Sequence, residues 1–152
     1  MTLATDYLLA GWCLFLVMRL HYSTRWNRGR SIWFWEIGFF FIGISALLGG
    51  TYHGFQCSLE LSMREALWNA TLYLIGVGSG FMVAGTCTAS LKWGDSNSSW
   101  LLAGLAVSIV SFVIQQSGLM LFEYFNHNDL YHCLQMIGLY FFYRATLFLR
   151  DS

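Results

Sequence analysis

Three histidines and one aspartate in this sequence are spaced for metal chemistry. His53 falls in the segment GGTYHGF, and His127, Asp129 and His132 lie in NHNDLYHCLQ. On a helix Asp129 and His132 are i, i+3 neighbours, and Gln135 extends that face by a further i, i+3 step. His127 is expected to precede the helix, with Asn126 or Asn128 as N-cap. Imidazole and carboxylate are ligands of zinc, and three protein ligands with a fourth position left to water make a catalytic site. His53, His132 and Asp129 are therefore the candidate ligands, with His127 the alternative to Asp129. The same imidazoles on facing helices could instead hold haem b through His53 and His132 in an aromatic cleft. The carboxylate and amide beside His132 favour the hydrated zinc site over the haem.

The elements that must position these groups are membrane helices. Of the 152 residues, 57% are hydrophobic, 18% aromatic and only 11% charged, and mean hydropathy is +0.53. Soluble proteins carry about 25% charged residues, so a free-standing soluble enzyme is excluded. A disordered chain needs high charge and few aromatics, and is excluded too. With eight basic and eight acidic residues there is no basic stripe for a nucleic acid. A spanning helix takes about 20 mostly apolar residues. Five stretches meet this: Ala4–Leu20, Ile32–Phe55, Glu65–Leu91, Ser99–Phe122 and Asp129–Leu149. The expected fold is an all-α bundle of five transmembrane helices in one domain. Its first stretch, with an acid in place of a basic leader and no A-x-A site, is expected to remain as a helix. The expected location is integral to a membrane, the inner membrane of a bacterium.

Seven of the eight basic residues (Arg19, Arg25, Arg28, Arg30, Lys92, Arg144 and Arg150) fall at one face of this plan, with Arg64 opposite. The positive-inside rule then places the N-terminus outside and the C-terminus in the cytoplasm. Trp12, Trp33, Trp35, Trp68, Trp93 and Trp100 sit near span ends, as interfacial anchors do. Ala46, Gly50 and Gly54, and likewise Gly76, Gly80 and Ala84, have the small-xxx-small spacing that lets helices approach in lipid, so the second and third helices are expected to pack tightly. His53, Glu65, Asn69, Gln115, Gln116, Glu123, His127, Asp129, His132 and Gln135 all fall at the predicted outer ends. Ionisable groups inside spans are costly and point to function, although a histidine at an interface also commonly bonds a headgroup and nothing more. Cys57 and Cys133 both lie near the predicted outer face and could form a disulfide in an oxidising compartment, while Cys13 and Cys87 are expected to pack as small apolar residues.

The two histidine segments resemble those of the CREST superfamily of membrane hydrolases and receptors, which includes alkaline ceramidases, Per1-like proteins and progestin/adipoQ receptors. His53 in GGTYHGF resembles the family's early-helix histidine. His132 in NDLYHCLQMIGLYFFYR resembles the second member of its last-helix H-xxx-H pair. Position 128 is Asn where that pair would have its first His, position 49 is Gly where the ceramidase pattern has Ser, and position 64 is Arg where it has an acid. The five expected spans are fewer than the family's seven.

The resemblance implies a zinc-dependent hydrolase of an amide- or ester-linked membrane lipid, in which the metal lowers the pKa of its bound water. Glu65 or Glu123 would be the general acid/base. The alternative is a non-enzymatic or haem-binding subunit that packs against other membrane subunits or a second copy of itself.

Overall fold

A computed structural model describes residues 2–26, 29–89, 96–118, 120–122 and 125–149, apart from the side chains of 96, 97, 120 and 121. Five helices account for nearly all of it: α1 (Thr2–Thr24), α2 (Arg30–Phe55), α3 (Leu61–Cys87), α4 (Ser96–Ser117) and α5 (His127–Thr146). Two short antiparallel strands, β1 (Met120–Phe122) and β2 (Phe125–Asn126), join α4 to α5. The apolar run that the sequence extends to Phe122 as helix therefore ends at Ser117. Gly118, at φ +65°, takes the left-handed conformation open to glycine and lets the chain leave α4.

α1 to α4 are long and apolar enough to cross a membrane. α5 is the exception among the five expected spans, because His127, Asn128, Asp129, His132, Gln135 and Arg144 dilute its apolar content. Its 20 residues still make a rod of about 30 Å, the thickness of a hydrocarbon core.

Across the bundle the helices follow the order α3–α2–α1–α5–α4, each packing chiefly on its neighbours. α1 and α2 are the most buried, whereas α3 and α4 form the flanks and turn most of their surface outward. Leu9, Cys13, Leu16 and Leu20 make a fully buried seam along α1 at steps of four, three and four residues. This seam meets Ile32, Trp35, Phe39 and Ala46 of α2 and Leu139 and Tyr143 of α5. Lipid solvates such side chains as well as protein does, so close packing and hydrogen bonds must hold the helices together. Trp12 and Trp35 serve that packing instead of anchoring at an interface. Trp35 is 2% exposed, and Trp12 Nε1 donates to Met136 O at 3.0 Å, clamping α1 to α5. Trp93 lies outside the described residues.

The contact between α2 and α3 is the most extensive in the bundle, as the glycine content suggested. Other glycines make it. A Cβ on Gly78 would stand 3.0 Å from Gly38 O, and one on Gly85 would stand 2.9 Å from Ser31 O. Gly50 and Gly54 face Tyr7 and Leu3 of α1 instead, and Gly76 and Gly80 face open space. Helical periodicity picks out small residues on one face, but not which neighbour that face meets.

Candidate functional site

α1 and α5 both begin at the same end of the bundle, and their first turns carry a connected polar chain. Asn126 caps α5: its side chain accepts from the backbone N–H of Asn128 and Asp129, while Asp129 Oδ2 accepts from Asn126 N at 3.0 Å. This capping box makes His127 the first residue of the helix instead of a residue before it. It also holds Asp129 rigidly with its other oxygen aimed at α1. Thr5 Oγ1 donates to Asp129 Oδ1 at 3.0 Å and lies 3.1 Å from His132 Nδ1. His132 Nε2 in turn lies 3.2 Å from Asp6 Oδ1. Asp129 and His132 occupy one face, as the i, i+3 spacing requires, and consecutive residues of α1 meet them both.

The hydroxyl fixes the ring's tautomer. A threonine O–H has one proton to give and lone pairs to receive. Thr2 O, also 3.0 Å away, is a second acceptor for that proton; with it on either oxygen, Thr5 Oγ1 accepts from His132 Nδ1–H. The neutral ring then presents the Nε2 lone pair to Asp6 Oδ1 at 3.2 Å, a contact that a proton on the carboxyl closes. Asp129 is fully buried, Asp6 is 4% exposed and His132 8%. Asp6 Oδ2 is buried with no hydrogen-bond partner among the described residues. Leaving a buried carboxylate oxygen without a partner is costly, which marks this atom as poised for a further proton or ligand.

α2 gives the acid its space. A Cβ on Gly50 would come within 2.9 Å of Asp6 Cβ and 2.8 Å of the Tyr7 ring, and one on Gly49 would lie 3.8 Å from Asp6 Oδ1. The Gly-Gly pair in GGTYHGF thus lets α1 approach with a carboxylate on its inner face. Tyr7 OH and Thr51 Oγ1, 3.1 Å apart, fasten the same level. His53 follows on α2, with its ring 6.1 Å from that of Trp68 on α3 and edge-on to it. It stands within electrostatic range of Asp129 and His132.

The remaining sequence candidates are distributed differently. Glu65 is exposed on the second turn of α3, and Glu123 lies outside the described residues. His127 is part-buried, and its Nδ1 has no partner among the described residues. Gln115 and Gln116 end α4, which packs on α5. All four cysteines are free, so Cys57 and Cys133 are not bridged; Cys13 is buried in the α1 seam, while Cys87 is exposed at the end of α3.

The zinc set read from the sequence does not assemble in this geometry. Among the described residues no group of three or more His, Cys, Asp or Glu is arranged to hold a metal ion. Asp129 is engaged instead by Asn126 N and Thr5 Oγ1, one on each oxygen, and the two His132 nitrogens face Asp6 and Thr5. Sequence reasoning missed Asp6 and Thr5. An acid in the second turn of an apolar helix is itself the signal that should have found the site.

The family of unknown function DUF6962 matches this sequence over residues 1–93 and 88–151, and the chain belongs to that family. The match brings no tie to the CREST superfamily. No curated protein matches the chain, and no solved structure does.

Proposed function

We propose that Asp6 and His132 are the working centre of this polytopic membrane protein and that their work is proton transfer in the cleavage of an amide- or ester-linked membrane lipid. The observation that carries this is the unbroken chain Asp6–His132–Thr5–Asp129. It combines a base of fixed tautomer, a carboxylate that orients it through a hydroxyl, and a second carboxyl facing the lone pair. Groups acting as a unit of base and orienter are the usual machinery of general acid–base catalysis. In hydrolysis the pair takes a proton from water as its oxygen adds to the carbonyl carbon. It then returns that proton to the departing amine or alcohol oxygen as the carbon–heteroatom bond breaks.

Arg19, Arg25, Arg30 and Arg144 stand toward the opposite end of the bundle, so the positive-inside rule turns the pair toward the non-cytoplasmic leaflet. Turnover of amide- and ester-linked lipids by the purified protein in nanodiscs tests the reading. Asp6→Asn and His132→Gln are expected to lower it by about 10²–10⁴-fold, and Thr5→Ser to preserve most of it. Full turnover in either of the first two variants would sink the proposal.

A zinc-dependent version of the same hydrolysis is the second reading, favoured by the buried, unpartnered Asp6 Oδ2 beside His132 Nε2. Its protein donors would be Asp6 and His132, with the remaining positions left to water. A metal-bound histidine normally has its other nitrogen held by a hydrogen-bonded carboxylate or similar group, and Thr5 with Asp129 supplies that. Metal content of the purified protein separates the two readings: one zinc per chain, lost in both Asp6→Ala and His132→Ala, would replace the metal-free scheme.

A further inference from the structure

We propose that a groove between α1 and α5 holds the hydrocarbon chain of a membrane lipid, with the lipid's polar head at Asp6 and His132. The position of the head rests on the function proposed above; the groove itself does not. Its lining is Trp12 of α1 and Cys133, Met136, Ile137 and Tyr140 of α5, around a volume of about 430 Å³.

Position supports this first. Cys133 is the residue after His132, and Trp12 is six residues beyond Asp6. At 1.5 Å per residue the lining runs from the level of the polar pair to about 12 Å deeper along α5. Both helices start at the same end, so the groove leads inward from the pair along the two of them. Depth in the bundle increases steadily from the polar chain to the apolar floor, which is the order of groups in an amphiphile.

Chemistry supports it next. The lining is almost wholly apolar: Trp12 Nε1 donates to Met136 O and Tyr140 OH accepts from Arg144, which leaves the Tyr140 proton and the weakly polar Cys133 thiol. An ordered water needs two to four polar partners, so the groove favours hydrocarbon over water. Ile137 is 47% exposed at the margin, so the groove opens sideways to the surrounding lipid. At roughly 30 Å³ per water-sized group, its volume of about 430 Å³ holds about fourteen such groups, the size of one alkyl chain.

Photolabelling tests the assignment. The protein is placed in phosphatidylcholine nanodiscs that contain a trace of phosphatidylcholine with a mid-chain diazirine. After irradiation, adducts are mapped by peptide mass spectrometry. They are expected to concentrate on Trp12 and on residues 133–140. Ile137→Trp and Cys133→Phe, each of which fills the groove, should lower that labelling about tenfold, the loss of roughly 1.4 kcal/mol of occupancy. Labelling of α3 and α4 should hold steady and so reports that the variants are folded and inserted.

Adducts spread evenly round the bundle, labelling undiminished in both filling variants, or crosslinks to a second copy of the chain would each overturn the proposal. His132→Gln should leave groove labelling intact while abolishing turnover. Labelling that persists beside full turnover in that variant removes the acid–base reading alone. Lost turnover without concentrated labelling removes the groove alone.

Discussion

His132 Nε2 lies 3.2 Å from Asp6 Oδ1, so the first and last helices of the bundle meet through a buried acid–imidazole contact. Both side chains are at most a tenth exposed, and removing one partner leaves the other polar group stranded. Asp6→Ala is expected to destabilise the protein by about 3 kcal/mol. The double variant Asp6→Ala/His132→Ala should cost less than the sum of the two single changes, since neither group is then left alone. Thermal melting of the four proteins in one detergent gives the comparison; strict additivity would show that the pair does not interact.

Thr5 connects the pair to Asp129, and its hydroxyl can be removed at nearly constant volume. Thr5→Val is expected to cost about 1–2 kcal/mol, the loss of a buried hydrogen bond with its partners left in place. It should also release the ring's tautomer. Nitrogen NMR of labelled histidine would show the His132 Nδ1–H form dominant in the wild type and mixed forms in the variant. Unchanged spectra would assign the tautomer to some other group.

The glycines of α2 and α3 divide by what stands opposite them. Gly50→Ala pushes a methyl to 2.9 Å from Asp6 Cβ and 2.8 Å from the Tyr7 ring, and is expected to cost about 1–3 kcal/mol through overpacking. Gly80→Ala meets nothing within 4 Å and should gain up to about 1 kcal/mol from helix propensity. Equal melting points for the two variants would contradict the helix order α3–α2–α1–α5–α4.

Asn126 supports the site from outside. Asn126→Ala removes the side-chain cap of α5, worth about 1 kcal/mol, and leaves the backbone N–H groups of Asn128 and Asp129 without their acceptor. Hydrogen exchange at the first turn of α5 should rise while the middle of α1 stays protected. Uniform exchange along both helices would place the cap's contribution elsewhere.

Sequence alone located much of this. The apolar stretches mark α1 to α4, and the i, i+3 spacing of Asp129 and His132 sets both on the face that meets α1. Periodicity describes one helix at a time, however, and the partner of that face is a matter of how helices are arranged. His53 seemed the natural counterpart because imidazoles attract attention as ligands, while Asp6 read only as an acid in place of a basic leader. The depth rule applied to His53 applies to Asp6 with more force, because a carboxylate buried in a span without Arg or Lys nearby needs an internal partner. Asp129, a candidate ligand by residue type, also serves as the capping-box acid of α5 and as acceptor of the Thr5 hydroxyl, which its spacing alone does not reveal. The end of α4 was misplaced because Met120–Phe122 is apolar enough to continue a helix, and only Gly118 marks the change.

The meeting of α1 and α5 also sets a timetable for biosynthesis. Thr5 and His132 are separated by 127 positions in the chain, and ribosomes add about 5–20 residues per second. Asp6 must therefore wait roughly ten seconds for its histidine. During that interval an acid near a helix end sits at the edge of the lipid without its partner, at a cost of up to about 3 kcal/mol if it is drawn to the bilayer centre. α2 can dock on α1 in the meantime, against the Gly49 and Gly50 that face Asp6, but the acid's hydrogen-bonding partner arrives only with α5.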